Sequence, residues 1–250
     1  MALSEEFEQQ GNWLFRHRSY LPLILLLAGI IMYLYSELYP ETFFLKSTPY
    51  ENYYNYFCLF VSLFGLIIRI YTVGHTPEHS SGKTTKEQVA NSLNTTGIYS
   101  LVRHPLYLGN FFMWVGPAML SGNFWFVIAF CFFYWIYYER IMFAEEQFLR
   151  NKFGNSYTNW AANIPAFIPN FRNFIKPSHP MSWKKVLKME KNGFAAVFII
   201  FSGLDIVGEL IKQSIRFDYI LMASAVVSFL LYLVLKFLKN RTHLLDETGR

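Results

Sequence analysis

The apolar residues of this chain fall in blocks of about membrane-spanning length, and that spacing constrains the fold more than any other feature. A bilayer core needs about 20 apolar residues of α-helix to cross it. Residues 21–38, 56–73, 124–142, 194–211 and 219–235 come close to that length, and 106–120 is a shorter block holding Gly116-Pro117. The blocks are rich in Phe, Leu and Ile without period-two alternation, so helices are expected rather than barrel strands. The predicted fold is all-α. It is one polytopic membrane domain, residues 1–250, of about six transmembrane helices, with a helical hairpin over 106–142 that turns at Ser121-Gly122-Asn123.

The start, Met1-Ala2-Leu3-Ser4-Glu5-Glu6, is acidic and unlike a cleavable signal peptide, so residues 21–38 are expected to stay as the first helix. Basic residues then set the orientation. With cytoplasmic termini, 18 of the 22 Lys and Arg face the cytoplasm; Lys46, Lys212 and Arg216 lie outside, and Arg69 lies within a helix. The expectation is a multi-pass protein with cytoplasmic termini, in the inner membrane if the cell is bacterial. The basic run Arg172, Lys176, Lys184, Lys185, Lys188 and Lys191 has two readings, the topological bias itself or attraction to anionic lipid. No soluble domain carries the charge, so no nucleic-acid partner is expected. Cys58 and Cys131 stand singly in apolar blocks and read as packing residues, and no metal is expected.

Two polar segments have the residues for chemistry. Residues 74–103 are rich in Ser, Thr, Asn and Gly; so long a loop in a compact protein is usually functional. It feeds into Arg103-His104-Pro105-Leu106-Tyr107-Leu108-Gly109. Pro105 suits the first turn of a helix, whose free amides and positive end, flanked by Arg103 and His104, are ready for a carboxylate or phosphate. Gly109 and Gly116 serve either helix packing or the close approach of a ligand. The second segment, 139–169, carries Glu145-Glu146 where the returning helix leaves the membrane, then Lys152-Phe153-Gly154 as a helix stop. Adjacent on a helix, the two glutamates point about 100° apart, so one is expected to face the bundle and the other to anchor in water. Ionisable groups inside a membrane are functional candidates. Arg69 is placed near the cytoplasmic cluster; Asp205 and Glu209 are one turn apart and farther out, where structural pairing, a wet interior and function all remain open.

Taken together, Gly97-Ile98-Tyr99, Arg103-His104-Pro105, Tyr107, Gly109, Glu145-Glu146, Phe153-Gly154, Tyr157, Pro165 and Pro169 resemble the isoprenylcysteine carboxyl methyltransferase and phospholipid methyltransferase superfamily. The resemblance covers about residues 92–170 and implies a membrane helical bundle that takes S-adenosylmethionine from the cytoplasm. It implies cofactor contacts at Tyr99, His104, Pro105, Leu106, Tyr107 and Glu145; Glu146 is a further candidate for the cofactor, and Arg103, His104 and Arg140 are the candidate catalytic residues. The residue types suit that cofactor. A glutamate can take the ammonium or ribose diol, the helix start and His104 the carboxylate, and Tyr99 or Tyr107 the sulfonium or adenine.

The chain departs from the prenylcysteine branch at two points. That branch carries a substrate-binding arginine four positions before the cofactor glutamate; here that position is Ile141, with Arg140 beside it. Two further apolar blocks, within 194–238, follow the motif region and either widen the acceptor side or serve packing. The expected partner is a lipid substrate in the membrane. With Arg69, His75, Arg103 and Arg140 as cations, the first expectation is a lipid phosphate, as in the lipid A phosphate branch that Gly74-His75-Thr76 and Asn94-Thr95-Thr96-Gly97 resemble. Arg69, His75 and Arg140 are the expected substrate contacts. A prenylcysteine carboxylate and the amine of phosphatidylethanolamine are the alternatives. A reductase of the NADPH-dependent sterol type shares the Arg-His-Pro segment, but its dinucleotide would want basic residues where Glu145-Glu146 stand. A transporter would be expected to show repeats that this sequence lacks.

Overall fold

The computed structural model describes residues 2–46, 48–77, 88, 90–247 and 249, without the side chains of Leu21 and Asn173. Among the described residues the chain is all-α, without strands. Its helices are α1 (Leu3–His17), α2 (Leu21–Leu38), α3 (Glu51–His75), α4 (Pro105–Leu120), α5 (Phe124–Phe153), α6 (Asn155–Ala161), α7 (Trp183–Ile211) and α8 (Tyr219–Arg241). Of the functional loop expected over 74–103, residues 78–87 and 89 lie outside the described residues.

All six apolar blocks are helical, but not all are long enough to cross a bilayer. Among the described residues α3, α5, α7 and α8 each pass on length and hydropathy, and α1 with Pro22–Leu38 passes as one pair bent by 69°. That makes four spans, or five with the bent pair. At 16 residues α4 is about 24 Å long, short of a bilayer core of about 30 Å. The six-span expectation therefore rests on apolar blocks of which one is too short to cross unaided.

The hairpin forms as its sequence predicts. Ser121 closes α4, Gly122 takes a φ of +63°, and the Asn123 side chain accepts from the Phe126 amide at 2.9 Å to open α5. A side chain at Gly122 would also collide with the Phe43 ring. From there α5 runs 30 residues, well beyond position 142, and stops at Gly154 with a φ of +53°. Its last turns carry Glu145 and Glu146 out of the apolar stretch on the same rigid rod.

Helix α1 is not foreseen by the blocks of apolar residues, yet Leu3, Phe7, Leu14 and Phe15 recur at helical spacing. Glu5 and Glu6 in its first turn and Arg16 and His17 in its last suit the helix dipole. It lies along α5 so closely that a Cβ at Gly11 would sit 2.1 Å from the Arg140 carbonyl oxygen. Phe15 thereby enters the core beside Tyr107 and Tyr138.

The tightest helix pair is α3 with α4. A Cβ at Gly65 would lie 2.4 Å from the Gly109 carbonyl oxygen, and one at Gly116 would lie 2.1 Å from Ser62 Oγ. Small residues on both partners let the backbones touch, as membrane helices do when apolar side chains give no net driving force. The two glycines of α4 therefore serve packing.

Alternating helices gather two ends. Ser182 and Lys185 of α7 bond to Gly74 and Thr76 at one end of α3, while Lys212 reaches Glu51 at the other. The first end also receives α4's start and α5's finish. The second receives the hairpin turn, where Tyr54 donates to the Met119 carbonyl at 2.7 Å.

Candidate active site

The start of α4 is held by chain that arrives 62 residues later. Arg103 N–H donates to the Pro165 carbonyl at 2.9 Å and His104 N–H to the Ala166 carbonyl at 3.2 Å. Asn170 N–H returns to the Leu101 carbonyl, and Gly97 pairs with Ile175 in an antiparallel bridge. Gly97 adopts a φ of +62°, and a side chain there would crowd Pro177. Prolines after α6 cannot donate, but their carbonyls accept, so this stretch clips the 97–104 loop without forming a sheet.

His104 sits at the N-cap of α4, 7% exposed, with Pro105 as the first helical residue. Its Nε2 lies 2.9 Å from Glu146 Oε1, and its Nδ1 lies 3.6 Å from Glu145 Oε2, an ionic distance rather than a hydrogen bond. Burial opposes charge on this imidazole, but the two carboxylates outweigh it and raise its pKa above the ordinary 6.5. Tyr107 donates to Glu145 Oε1 at 2.7 Å. Arg103 Nε is 3.0 Å from Glu146 Oε1, off the line of a hydrogen bond, while its Nη1 donates to the Ala161 carbonyl at 2.8 Å. Burial, and then the Glu145 charge, push the Tyr99 phenol well above its usual range, so Tyr99 is a neutral hydroxyl.

These groups border a cavity of about 380 Å³, whose walls include Tyr99, Arg103, His104, Pro105, Leu106, Tyr107 and Glu145. The cavity is lined also by Arg69, Asn110, Tyr138 and Glu190. Arg69 forks onto Glu190, Nε at 2.8 Å and Nη2 at 2.7 Å, and Nη1 donates to Asn110 Oδ1 at 2.6 Å. Gly109 makes room for that arginine, because a Cβ there would lie 2.6 Å from Arg69 Cγ.

The structure separates the residues that the sequence groups together. Glu145 faces the cavity; Glu146 is not among its walls and stands behind His104 and Arg103, which are. Arg140 is not among the cavity walls. It lies on the α1 side of α5, its guanidinium 3.4 Å from the Phe7 ring centre and 3.3 Å from Glu139. His75 is also outside the cavity, with Nδ1 2.8 Å from the His179 carbonyl oxygen. Residues one step apart on a helix diverge by about 100°, which carries Arg140 away while Ile141, fully buried, points inward. Tyr138, Asn110 and Glu190 were not foreseen. Tyr138 lies seven residues before Glu145, and Asn110 three after Tyr107, so helical spacing from the motif could have found those two. No spacing points to Glu190, which comes from another helix.

At the other end, Asp205 and Glu209 line a second cavity of about 370 Å³, with Tyr56, Lys212 and Asp218. Asp205 accepts from the Asp218 amide at 3.0 Å, and Glu209 lies 3.5 Å from Lys212. Lys46 binds Glu37 at 2.6 Å and Glu51 at 3.0 Å. Among the described residues no group of His, Cys, Asp and Glu is arranged to hold a metal ion.

Residues 56–156, which include the α3–α4–α5 frame of the first cavity, match the family model of phospholipid methyltransferases. The match takes in 101 of the chain's 250 residues, so over this segment the chain is similar to that family. The protein-S-isoprenylcysteine O-methyltransferase of Schizosaccharomyces pombe is 38% identical over 86 residues, 34% of this chain and 36% of that one. The enzyme of that name from Saccharomyces cerevisiae is 32% identical over 114 residues, 45% of this chain and 47% of that one. Protein-S-isoprenylcysteine O-methyltransferase B of Arabidopsis thaliana is 32% identical over 117 residues, 45% of this chain and 58% of that one. The chain thus spans between about a third and three fifths of the length of these relatives. No solved structure matches it. The family segment ends at residue 156, so the carbonyls that clip its loop and the Glu190 that pairs with its Arg69 come from chain outside it.

Proposed function

We propose that this protein is a membrane-embedded O-methyltransferase. It takes S-adenosylmethionine at the α4–α5 wall of the first cavity and methylates an acidic oxygen of a lipid-linked acceptor held near Arg69. The observation that carries this reading is the pairing of Glu145 with Tyr107 beside His104, at the start of a helix, in a cavity of small-molecule size. The residues fit the cofactor. Glu145 keeps lone pairs for an ammonium or a ribose diol, while His104 and the free amides after Pro105 suit a carboxylate. Tyr107 and Tyr138 offer ring faces, their centroids 4.8 Å apart, to a sulfonium.

S-adenosylmethionine would supply an electrophilic methyl group on sulfur. What the protein contributes is alignment and exclusion of water. An acid oxygen is already a nucleophile, so no general base is required, and Arg69 would orient it. Arg103 lines the cavity and also steadies Glu146, which holds His104, as a positioning group.

Among acid acceptors, a carboxylate on a prenylated cysteine now ranks ahead of a lipid phosphate. Of the four cations that made a phosphate attractive, Arg140 and His75 lie off the cavity, Arg103 is paired with Glu146, and Arg69 with Glu190. A singly charged carboxylate asks less of such a site than a phosphate does. The curated relatives named above are isoprenylcysteine O-methyltransferases. We infer also that the cavity opens to the cytoplasm, since that end carries most of the Lys and Arg.

The test is incubation of membranes containing the protein with methyl-labelled S-adenosylmethionine, with S-farnesylated N-acetylcysteine and phosphatidic acid offered separately. Base-labile label on the farnesyl compound, absent in Glu145→Ala, is expected. Label confined to phosphatidic acid would restore the phosphate reading, and no label on either would overturn the proposal.

A further inference from the structure

We propose that α7 completes the acceptor side of the active site, and that Glu190 is the positioning residue that sets Arg69. This deepens the methyltransferase reading and rests on it.

Glu190 reaches the first cavity from outside the family segment of residues 56–156. Its side chain is 4% exposed, and both of its oxygens accept from Arg69, through Nε and Nη2. Asn110 takes an Nη1 hydrogen. Three points define a plane, so the guanidinium is fixed in orientation before any acceptor arrives. Of the five N–H groups of an arginine, these bonds use three. One hydrogen on each Nη remains for an acceptor oxygen.

Arg69 could not hold this pose alone. It hangs from α3 on a long flexible stem, and it crosses α4 where Gly109 has no side chain. A buried guanidinium without a counterion is costly, and it would swing toward whichever carboxylate it could reach. Glu145, the group proposed to hold the cofactor, lines the same cavity. Glu190 holds Arg69 away from any such alternative by accepting from it through both oxygens.

The pair is not needed to dock α7. Ser182 N–H already donates to the Gly74 carbonyl at 2.9 Å, and Lys185 Nζ donates to the Thr76 carbonyl at 2.6 Å and the Pro77 carbonyl at 3.0 Å. Ser182 also caps α7 by accepting from the Lys185 amide. With the helix registered one to two turns earlier by these contacts, a bidentate Arg–Glu pair on the cavity wall has a task beyond packing. It also gives the two C-terminal helices a chemical reason to be there: α7 brings the carboxylate, and α8 packs against α7.

The experiment measures methyl transfer from S-adenosylmethionine to S-farnesylated N-acetylcysteine and phosphatidic acid by the full-length protein. The variants are Glu190→Gln, Arg69→Ala and the double change. Binding of S-adenosylhomocysteine by calorimetry reports folding and the cofactor wall. The expected result for Glu190→Gln is at least a tenfold loss of kcat on the preferred acceptor, with product affinity within twofold of wild type. In the Arg69→Ala background, adding Glu190→Gln should change kcat less than twofold, because the glutamate acts only through the arginine. Should Glu190→Gln fail to bind S-adenosylhomocysteine, Glu190→Asp is read in its place, with the same tenfold loss expected. Wild-type kcat in a folded Glu190 variant, or an equal loss with and without Arg69, would overturn the inference and leave the methyltransferase reading standing. Wild-type protein that binds S-adenosylhomocysteine but methylates neither acceptor would overturn the functional reading itself.

Discussion

The two ends of the bundle carry cavities of nearly equal size, about 380 and 370 Å³, and each is ringed by charge. They differ in how the charges are used. At the far end, Lys46 and Lys212 lie among Glu37, Glu51 and Glu209, cation against anion in a closed network. At the near end the carboxylates are arranged around a helix start and a stack of rings: Glu145 bonded to Tyr107, His104 within 5.7 Å of Tyr107, and Tyr107 beside Tyr138. Charge in a membrane cavity does not by itself mark a reaction site. The near end adds a helix start, aromatic faces and a carboxylate with lone pairs to offer, and the proposed site rests on these.

Sharpening that contrast begins with Glu145→Ala, the largest expected effect. It should lower methyl transfer by about three orders of magnitude, about 4 kcal/mol of transition-state stabilisation, while the protein still inserts; labelled S-adenosylmethionine and protease mapping of membranes read both. Glu37→Gln probes the other end. Glu37 and Lys46 side chains are only 1% and 3% exposed, and removing one partner of such a pair typically costs about 3–5 kcal/mol. Thermal unfolding in detergent should show a clear drop in Tm, with kcat of the folded enzyme unchanged. A matching loss of kcat would break the contrast by making the far end part of the site.

Gly109→Ala should come next. Its Cβ has 2.6 Å to Arg69 Cγ and 2.8 Å to the Gly65 carbonyl oxygen, so α3 and α4 must part, at about 1–3 kcal/mol for an overpacked contact. Because Arg69 moves with that shift, turnover should fall more than product affinity does.

The pH dependence is smaller. His104 has a folded-state pKa raised above 6.5, so its pairing contributes stability that is fully present below pH 6.5 and fades as pH rises through the raised value. Tm measured upward from pH 6 should decline in wild type, and less in His104→Gln. An equal decline in both would remove His104 as the source. Asp205→Asn should have the smallest effect of all, with product affinity and kcat within about twofold of wild type, since its recorded partner is the Asp218 amide at the far end.

How far the site was legible in the sequence can be followed residue by residue. Arg103-His104-Pro105 and Tyr107 announce a helix start because their chemistry is local: a proline at the first turn, a histidine at the cap, a tyrosine two residues on. Glu145 was legible as one of a pair, but not which one, since the answer depends on the rotation of α5 about its axis. Arg140 shows the same limit. Next to a meaningful position in sequence, it is turned by α5 onto Phe7 of a helix that the apolar pattern did not reveal. Glu190 was not legible at all, because its meaning comes only from Arg69, 121 residues away.

The sequence by itself determined that this chain is a helical membrane protein, where its apolar helices lie, where the hairpin turns, and which short motif opens α4. Those follow from hydrophobic length, helix-start chemistry and glycine at positive φ, all carried by neighbouring residues. Only the tertiary structure decided that α4 is too short to cross unaided, that α1 lies along α5, and that Glu145 faces the cavity while Glu146 holds His104 from behind. It also decided that Arg69 belongs to Glu190. Each of these depends on the rotation and register of packed helices, and a helix's own sequence leaves both open until a partner such as Gly65 or Gly11 lets another backbone come close.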